Sequence, residues 1–392
     1  MKNIKEIRSE TPGCAHKNHL NSAGSSLVPK LVIDAILDYL KLETITGGYE
    51  TAALKAKEIS GFYKSLATML NCEPRNIAHA SSATEAYSKA LSSIPFKKGD
   101  VILTTDYDYA SNQIAFLFLQ KKIGVKLVRA ANNTLGGVNF DSVKKLIKKE
   151  DPKLVAITHV PTNTGLVQPV EEIGTLCRKK EILYLVDACQ SAGQMSLDVE
   201  KIQCDFLSAT FRKFMRGPRG IGFLYVSNRV LKNNFEPIFP DLHGAVWTKD
   251  NEYKLTKDAK RFEYWEKPYA LMLGAKASVD YALGIGLENI ERRVTHLANY
   301  TRQKLSKIEN VRVLDEGEKL CGIVTAWNKN WNLSALQKHL RELNINVSVA
   351  PFNAAVIDFE KKGVDGALRI SPHYFNTERE IDELFEAIIN FK

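Results

Sequence analysis

Apolar strands alternate with helix-length segments from Leu154 onward, and this alternation constrains the fold more than any other feature of the sequence. Three runs consist almost entirely of apolar residues: LVAITHV, ILYLVDA and DFLSAT. The segment between the first two runs, PVEEIGTLCRKK, starts with proline and repeats apolar residues at helical spacing. Strands that are apolar on both faces are typical of parallel sheets covered by helices on each side. The sequence therefore predicts an α/β fold.

The upstream part of the chain continues the same pattern. Residues 28–42 and 52–70 have helical periodicity, as does NFDSVKKLIKK, while VILTT and VKLVRA have the composition of strands. These segments extend one large three-layer domain with a mainly parallel sheet.

A second, smaller domain is predicted beyond residue 265. A long helical region is followed there by short strands and helices, which is typical of an α+β domain. We expect an N-terminal arm over 1–20 that packs with the small domain, a large domain over 21–264 and a small domain over 265–392. A cleft between two such domains is the usual place for a ligand.

Composition and charge limit the classes of function. Of 392 residues, 44% are hydrophobic and 25% are charged, which excludes a disordered or low-complexity chain and allows a core large enough for an enzyme. The net charge of +9 is compatible with nucleic acid, an anionic membrane, or phosphate and carboxylate ligands. The basic runs KKLIKKEDPK and CRKKE resemble solvated helix faces, so we expect no nucleic-acid partner.

Cysteine usage indicates a reduced compartment. The six cysteines form no CxxC pair, and their spacing fits no zinc site, so a cytoplasmic location is expected. No signal peptide is apparent and no run of eighteen apolar residues occurs, so we expect no membrane association. His16 and His19 form a His-x-x-His pair in a polar leader, without a further ligand at helical spacing. We therefore expect no metal there.

The segment between Asp187 and Val226 carries the clearest chemistry. Its GPRGIG run lacks the Gly-Lys-Ser/Thr of a phosphate loop and leads into a strand, which argues against a nucleotide site. Asp187 ends one predicted strand and Lys213 follows the next, so both side chains are expected at the carboxyl edge of the sheet. Pyridoxal phosphate requires such a pair, because lysine binds its aldehyde and a carboxylate keeps its ring nitrogen protonated. Taken singly, each residue also fits an ordinary role, as a turn-capping acid or a surface lysine.

The sequence resembles the class V aminotransferase group of fold type I pyridoxal-phosphate enzymes over nearly its whole length. The resemblance rests on several blocks in the family's order: HLNSAGSSLVP, SSATEA, THVPTNTG, DACQ, the lysine block, RFEYWE and LRISPHYFNTEREID. It implies pyridoxal 5'-phosphate as cofactor, a small amino-acid substrate, a homodimer, and a large cofactor domain with a smaller domain closing over it.

The resemblance also implies roles for individual residues. Lys213 corresponds to the lysine that forms the Schiff base with the cofactor, and Asp187 to the partner of the pyridine nitrogen. The other implied cofactor contacts are Ala83 and Thr84 at a helix start, Tyr109 over the ring, Thr162 and Gln190 near its oxygen or the Schiff base, and Thr210 and Arg212 at the phosphate. Arg369 corresponds to the arginine that binds the substrate carboxylate. Asn21 is a further candidate for substrate binding. Tyr49 and His373 are also candidate pocket residues, and they are compatible with substrate side chains of many shapes.

The reaction is less constrained, because the cofactor supports transamination, epimerisation and elimination alike. Desulfurases of this group use a cysteine on a small-domain loop, and the corresponding segment NINVSVAPFNAAVIDF has none. The lysine and RFEYWE blocks resemble the branch with hercynylcysteine sulfoxide lyase and isopenicillin N epimerase-like proteins. We therefore expect carbon–sulfur β-elimination of a cysteine conjugate or sulfoxide, with transamination as the alternative and epimerisation, cysteine desulfuration or a non-catalytic binding role ranked lower.

Subunit contacts are expected near the active site. Trp247 and the loop 241–250 are candidates for the interface of the implied homodimer. Many relatives have Gly-Thr at the positions of Trp265 and Glu266. The threonine of that pair often contacts the cofactor phosphate bound in the neighbouring subunit. This departure argues against that particular contact.

Overall fold

The computed structural model describes residues 3–391. The α-helices are α1 Ile4–Ser9, α2 Lys30–Thr46, α3 Gly48–Leu54, α4 Ala56–Leu70, α5 Ala83–Ser92, α6 Ala110–Ile123, α7 Phe140–Glu150, α8 Val170–Lys179, α9 Val199–Ile202, α10 Asn228–Lys232, α11 Tyr269–Ile285, α12 Leu287–Leu305, α13 Leu333–Glu342, α14 Val356–Lys362 and α15 Glu378–Ile389. The strands are β1 Asn18–His19, β2 Ile77–Ala80, β3 Val101–Thr104, β4 Lys126–Arg129, β5 Leu154–Thr158, β6 Leu183–Asp187, β7 Phe206–Thr210, β8 Gly222–Val226, β9 Ala245–Lys249, β10 Glu252–Leu255, β11 Arg312–Val313, β12 Val324–Trp327, β13 Ile345–Asn346, β14 Ser348–Pro351 and β15 Gly366–Ile370.

A seven-stranded sheet forms the centre of the large domain. Its strand order is β2-β8-β7-β6-β5-β3-β4, and β8 alone pairs with both of its neighbours in the antiparallel direction. The predicted α/β fold with a mainly parallel sheet is thus confirmed. In the register of the sheet, Asp187 lies between Thr158 of β5 and Ser208 of β7. The carboxyl ends of these three strands therefore meet at one edge.

The two faces of the sheet pack against different hydrophobic clusters. Val155 and Ile157 of β5 belong to one cluster, and Leu154 and Ala156 belong to the other. Because successive strand residues point to opposite faces, burial on both sides requires an uninterrupted apolar run. This is the reason that LVAITHV lacks the alternation of a half-exposed strand.

The helices depart from the predicted segments at two glycines. The first helix extends to Thr46, and Gly47, at a φ of +100°, separates it from α3. The long segment after residue 265 divides at Gly286, at a φ of +91°, into α11 and α12. Both glycines adopt backbone angles that other residues seldom reach, so each one redirects the chain.

The C-terminal part forms a four-stranded antiparallel sheet of order β11-β12-β15-β14. The N-terminal segment contacts it, since β1 pairs in parallel with β13 and the Arg8 guanidinium donates to the Phe375 carbonyl at 2.9 Å. The domain boundaries at 20/21 and 264/265 stay predictions.

Within residues 3–391, no single helix has the length and apolar character to cross a bilayer. Helices α11 and α12 together have the required length and apolar composition, but the chain bends by 81° between them. Length and composition are the only criteria that this pair meets. Over the same residues, no group of three or more His, Cys, Asp or Glu side chains is placed to hold a metal ion.

Candidate active site

A pocket opens at the carboxyl ends of β5, β6 and β7, the edge at which open α/β sheets bind ligands. Nine of the residues predicted from the sequence line it: Ala83, Thr84, Tyr109, Thr162, Asp187, Gln190, Thr210, Arg212 and Lys213. They come from segments far apart in sequence, and the strand order of the sheet brings them together.

Asp187 is the last residue of β6, and its carboxylate is buried. Oδ2 accepts a hydrogen bond from the Asn112 amide at 2.9 Å, and Oδ1 accepts one from the Cys189 backbone N–H at 2.9 Å. Burial raises the pKa of Asp187, while these two hydrogen bonds and the charge of Lys213 act in the opposite direction. A carboxylate held in this way is suited to a buried cationic partner, such as a protonated pyridine nitrogen.

Lys213 lies in the turn between β7 and β8, and it is buried. Its Nζ lies 6.0 Å from the centre of the Tyr109 ring. Burial lowers the pKa of Lys213, and Arg212 and Arg369 lower it further, against the raising effect of Cys189 and Asp187. A larger fraction of neutral amine results, which is the form that reacts with an aldehyde.

The start of helix α5 forms another wall of the pocket. The Ser82 hydroxyl accepts from the Glu85 backbone N–H and caps the helix, so the N–H groups of Ala83 and Thr84 have no acceptor within it. β8 packs closely behind this turn, since a Cβ at Gly222 would lie 2.9 Å from the Ala83 nitrogen. A helix N-terminus of this kind binds phosphate through its backbone N–H groups and its dipole.

Thr162, Gln190 and Arg369 form a connected group. The Gln190 side-chain amide donates to Thr162 Oγ1 at 3.1 Å, and the Arg369 guanidinium donates to the same oxygen at 2.7 Å. Gln190 Oε1 and Arg369 Nε are buried and have no hydrogen-bond partner in the part of the chain that the structure describes. Burial, together with Arg212, lowers the pKa of Arg369 to about 10. Both atoms therefore have hydrogen-bonding capacity that no described residue uses.

Several sequence-based candidates lie outside the pocket or have other contacts. Arg369 is not part of the pocket lining and contacts it through Thr162. Asn21 does not line the pocket, and its side chain folds toward Gly24. Arg212 lines the pocket, but its guanidinium donates to the carbonyl of Gly24. His373 is fully buried, with Nε2 2.8 Å from the Phe214 carbonyl oxygen. Tyr49 and Trp247 are exposed. The roles assigned to these residues stay predictions.

Five pocket residues were not among the sequence-based candidates: Ser82, Asn112, Thr158, Val160 and Cys189. Asn112 lies three residues after Tyr109 in the first turn of α6, and Cys189 lies two residues after Asp187. Asn and Cys at these positions have no distinctive pattern of their own. The one sequence signal for Cys189 is that it lies only two residues after Asp187.

The arrangement fits pyridoxal phosphate group by group. The start of α5 suits the phosphate, the Asp187 carboxylate suits the ring nitrogen, the Tyr109 ring offers an aromatic face, and Lys213 suits the aldehyde. The unpartnered Gln190 Oε1 is a further polar contact for the ring.

Comparison with known proteins gives a consistent picture. Residues 18–384 match the family model Aminotransferase class-V. A probable cysteine desulfurase of Pyrococcus abyssi is 29% identical over 97% of this chain and 96% of its own length. The apo structure of the cysteine desulfurase from Thermococcus onnurineus NA1 superposes with a TM-score of 0.91 at 26% identity, covering 99% of this chain and 98% of that one. A C-DES variant with glycine covalently linked to the PLP cofactor has the same fold, with a TM-score of 0.86 at 21% identity over 98% of this chain and 99% of that one.

These relatives correct the expected reaction. Elimination from a cysteine conjugate or sulfoxide was the leading prediction, and cysteine desulfuration was ranked low. That order is wrong, because proteins named cysteine desulfurase or probable cysteine desulfurase match nearly the whole chain. The low rank of desulfuration came from the missing cysteine in one loop and from the branch resemblance of the lysine and RFEYWE blocks. A thiol that accepts sulfur need not belong to that loop.

Proposed function

Because the chain belongs to the class V aminotransferase family and is a pyridoxal-phosphate-dependent enzyme, we propose that it removes sulfur from L-cysteine. The observation that carries this proposal is the full-length similarity to probable cysteine desulfurases, combined with a pocket that contains Lys213 and Asp187. Arg369 contacts this pocket through Thr162. When bound, pyridoxal phosphate supplies an electron sink for bonds at the substrate α-carbon.

The proposed reaction balances with a second thiol as acceptor. The Cβ–S bond of L-cysteine breaks, and its sulfur forms an S–S bond with the acceptor, which is thereby converted to a persulfide. The acceptor loses a proton, and the carbon skeleton gains one at Cβ to give alanine. No external oxidant or oxo acid enters this balance.

Lys213 is the proposed base. Its Nζ lies in the pocket as an amine whose pKa is lowered by burial. A neutral amine accepts the proton from the substrate α-carbon, which an ammonium group cannot do. The Asp187 carboxylate lines the same pocket and is held by hydrogen bonds from Asn112 and the Cys189 backbone N–H.

Arg369 is the proposed carboxylate-binding residue. It lies on β15 and is buried next to Thr162, a residue of the pocket, where it donates to the Thr162 carbonyl at 3.1 Å and to Thr162 Oγ1 at 2.7 Å. Its Nε has no hydrogen-bond partner among the described residues. A substrate carboxylate adds an acceptor for this donor, and a planar guanidinium binds a carboxylate through two parallel hydrogen bonds.

Product analysis tests the proposal. The holoenzyme is incubated with L-cysteine and excess dithiothreitol as the acceptor thiol, without any oxo acid. We expect alanine and sulfide in equal amounts, and neither product with Lys213→Ala. Pyruvate and ammonia in place of alanine would contradict the proposal, and so would a strict requirement for an oxo-acid acceptor.

We further propose that the enzyme is a homodimer. Large apolar side chains are exposed on the segment that leads into the β9–β10 hairpin, including Ile238, Phe239, Leu242 and Trp247. Apolar patches of this kind commonly mark protein–protein interfaces. Light scattering is expected to give twice the chain mass for the wild type and a lower mass for Phe239→Asp with Trp247→Asp. A monomeric wild type would contradict this proposal. The cytoplasmic location stays a prediction, which cell fractionation tests.

A further inference from the structure

Asp108 is a buried carboxylate that contacts the pocket without lining it. One oxygen, Oδ1, accepts hydrogen bonds from the Thr158 backbone N–H at 3.2 Å and from Thr158 Oγ1 at 3.1 Å. The other oxygen, Oδ2, accepts from Thr104 Oγ1, from the Thr105 backbone N–H at 3.4 Å and from the Gln113 side-chain amide at 2.9 Å. Five donors therefore converge on a side chain that the proposed mechanism does not use.

The donors to Asp108 belong to three elements of the fold. Thr104 and Thr158 end β3 and β5, which are neighbours in the sheet, and Gln113 lies near the start of α6. Tyr109, the N-cap residue of α6, makes no side-chain capping hydrogen bond. The carboxylate of Asp108 therefore ties the start of this helix to the carboxyl ends of two strands.

Two pocket residues depend on the position of that helix start. The Tyr109 backbone N–H donates at 3.3 Å to Thr158 Oγ1, the same hydroxyl that donates to Asp108. Three residues further along, the Asn112 side chain donates to Asp187 at 2.9 Å. A displacement of the start of α6 would thus move both the Tyr109 ring and the donor to the Asp187 carboxylate.

We propose that Asp108 is a positioning residue, whose carboxylate fixes the start of α6 and thereby holds the Tyr109 ring and the Asn112 amide in the pocket. This role concerns the cofactor site, so it rests on the family's use of pyridoxal phosphate and not on the proposed desulfuration. It also rests on the expected contact between the Tyr109 ring and the bound cofactor.

The experiment measures visible circular dichroism per bound cofactor in the holoenzyme at saturating pyridoxal phosphate. Because pyridoxal phosphate is not chiral, this signal arises from the asymmetric groups around the bound ring. Asp108→Asn keeps the side-chain shape but places an N–H donor where a carboxylate oxygen accepts, so we expect the signal to fall by about half or more. Burial raises the pKa of Asp108 to about 7, so the measurements are made at about pH 8.5, where the carboxylate is ionised.

Asp205→Asn is the matched control. Asp205 is also buried, and its carboxylate accepts hydrogen bonds from the Tyr184 N–H at 2.9 Å, the Ser227 hydroxyl at 3.0 Å and Arg229 Nε at 2.9 Å. It directly precedes β7 and so lies at the end of the sheet opposite the pocket. We expect Asp205→Asn to lower the thermal midpoint at least as much as Asp108→Asn, and to leave the visible signal at the wild-type level.

The Thr158 hydroxyl gives a second, independent pair of variants. Thr158→Val removes the hydroxyl that joins Asp108 to the Tyr109 N–H, and Thr158→Ser keeps it. The visible signal is expected to fall in Thr158→Val and to be retained in Thr158→Ser.

A wild-type signal in Asp108→Asn would overturn the proposal. Equal losses in Asp108→Asn and Asp205→Asn would also overturn it, because they would indicate general destabilisation of the fold. If Asp108→Asn does not fold, the Thr158 pair decides the question, and equal signals in Thr158→Val and Thr158→Ser would then count against the proposed role.

Discussion

The Asn112 side chain donates a hydrogen bond to the Asp187 carboxylate, with 2.9 Å between Nδ2 and Oδ2. Asn112 lies in the first turn of α6, and Asp187 ends β6. Together with the Cys189 N–H on Oδ1, this contact gives each carboxylate oxygen one fixed donor. The carboxylate is thereby oriented before any ligand binds, which is the preorganisation that a buried ionic contact needs.

Loss of the Asp187 charge is expected to reduce activity strongly. Asp187→Asn retains the shape of the side chain but cannot stabilise a protonated pyridine nitrogen, so kcat should fall by about a hundredfold or more. Asn112→Ala keeps the charge and loses only one hydrogen bond, so its effect should be smaller. Steady-state kinetics and cofactor absorbance measure both variants. Equal losses in the two variants would contradict the role given to the charge.

Arg369 is expected to act on substrate binding. Arg369→Lys keeps the charge but loses the planar pair of donors, so KM should rise about tenfold or more with a smaller change in kcat. The matched control is Arg312→Lys, an exposed arginine on β11 of the same small sheet. If KM of the Arg369 variant equals that of the wild type, Arg369 does not bind the substrate carboxylate.

The close packing behind α5 gives a prediction about cofactor affinity. A Cβ at Gly222 would lie 2.7 Å from the Ala209 carbonyl oxygen and 2.8 Å from the Ser82 carbonyl carbon. Gly222→Ala should displace the start of α5 and weaken pyridoxal-phosphate binding by about tenfold or more, as measured by titration of the apoenzyme.

Gly284→Ala is the control for this substitution, because a Cβ at Gly284 meets no atom within 4 Å. Gly284 lies within α11, where alanine is favoured over glycine by about 0.5–1 kcal/mol, so this variant should be at least as stable as the wild type. Unchanged cofactor affinity in Gly222→Ala would show that the phosphate does not bind at the start of α5.

Glu263 is expected to stabilise the fold at neutral pH. Its buried carboxylate accepts hydrogen bonds from the His79 N–H at 2.7 Å, Tyr63 OH at 3.1 Å and Lys267 Nζ at 2.5 Å. Burial raises its pKa, but the contacts of His243, Lys267 and His79 outweigh burial and hold the pKa at about 2. A pKa below the unfolded value of 4.5 contributes stability that is present above pH 4.5 and lost as the pH falls toward 2.

The corresponding variant is Glu263→Gln. It leaves the Lys267 charge buried without its partner, so it should cost about 3 kcal/mol and lower the thermal midpoint by about 4 °C at pH 7. The difference from the wild type should shrink between pH 4.5 and pH 2. Glu252→Gln, at an exposed pair with Lys249, is expected to have little effect. A pH-independent difference would contradict the low pKa of Glu263.

The sequence predicted those parts of the site that depend on neighbouring strands. Asp187 and Lys213 follow β6 and β7, and strands that are consecutive in a parallel sheet place their ends together, so their proximity needed no side-chain detail. Asn112 was missed because its contact with Asp187 depends on how α6 packs on the sheet. The break at Gly286 was missed because an isolated glycine is also tolerated inside helices.

The chemistry of the reaction was less accessible than the cofactor. The groups that hold pyridoxal phosphate are set by the cofactor itself and recur as residue types at strand and helix ends. The choice among reactions depends on how the pocket orients the bonds of the substrate, and on which thiol reaches its sulfur. Neither is encoded in a local residue pattern.

The most direct test of the proposed function follows the carbon skeleton of L-cysteine labelled with ¹³C at Cβ. The holoenzyme is supplied with dithiothreitol and no oxo acid, and the products are observed by NMR during turnover. The account predicts that the label appears in the methyl group of alanine, at a rate equal to sulfide release. Label in the methyl group of pyruvate, with ammonia released in equal amount, would contradict it.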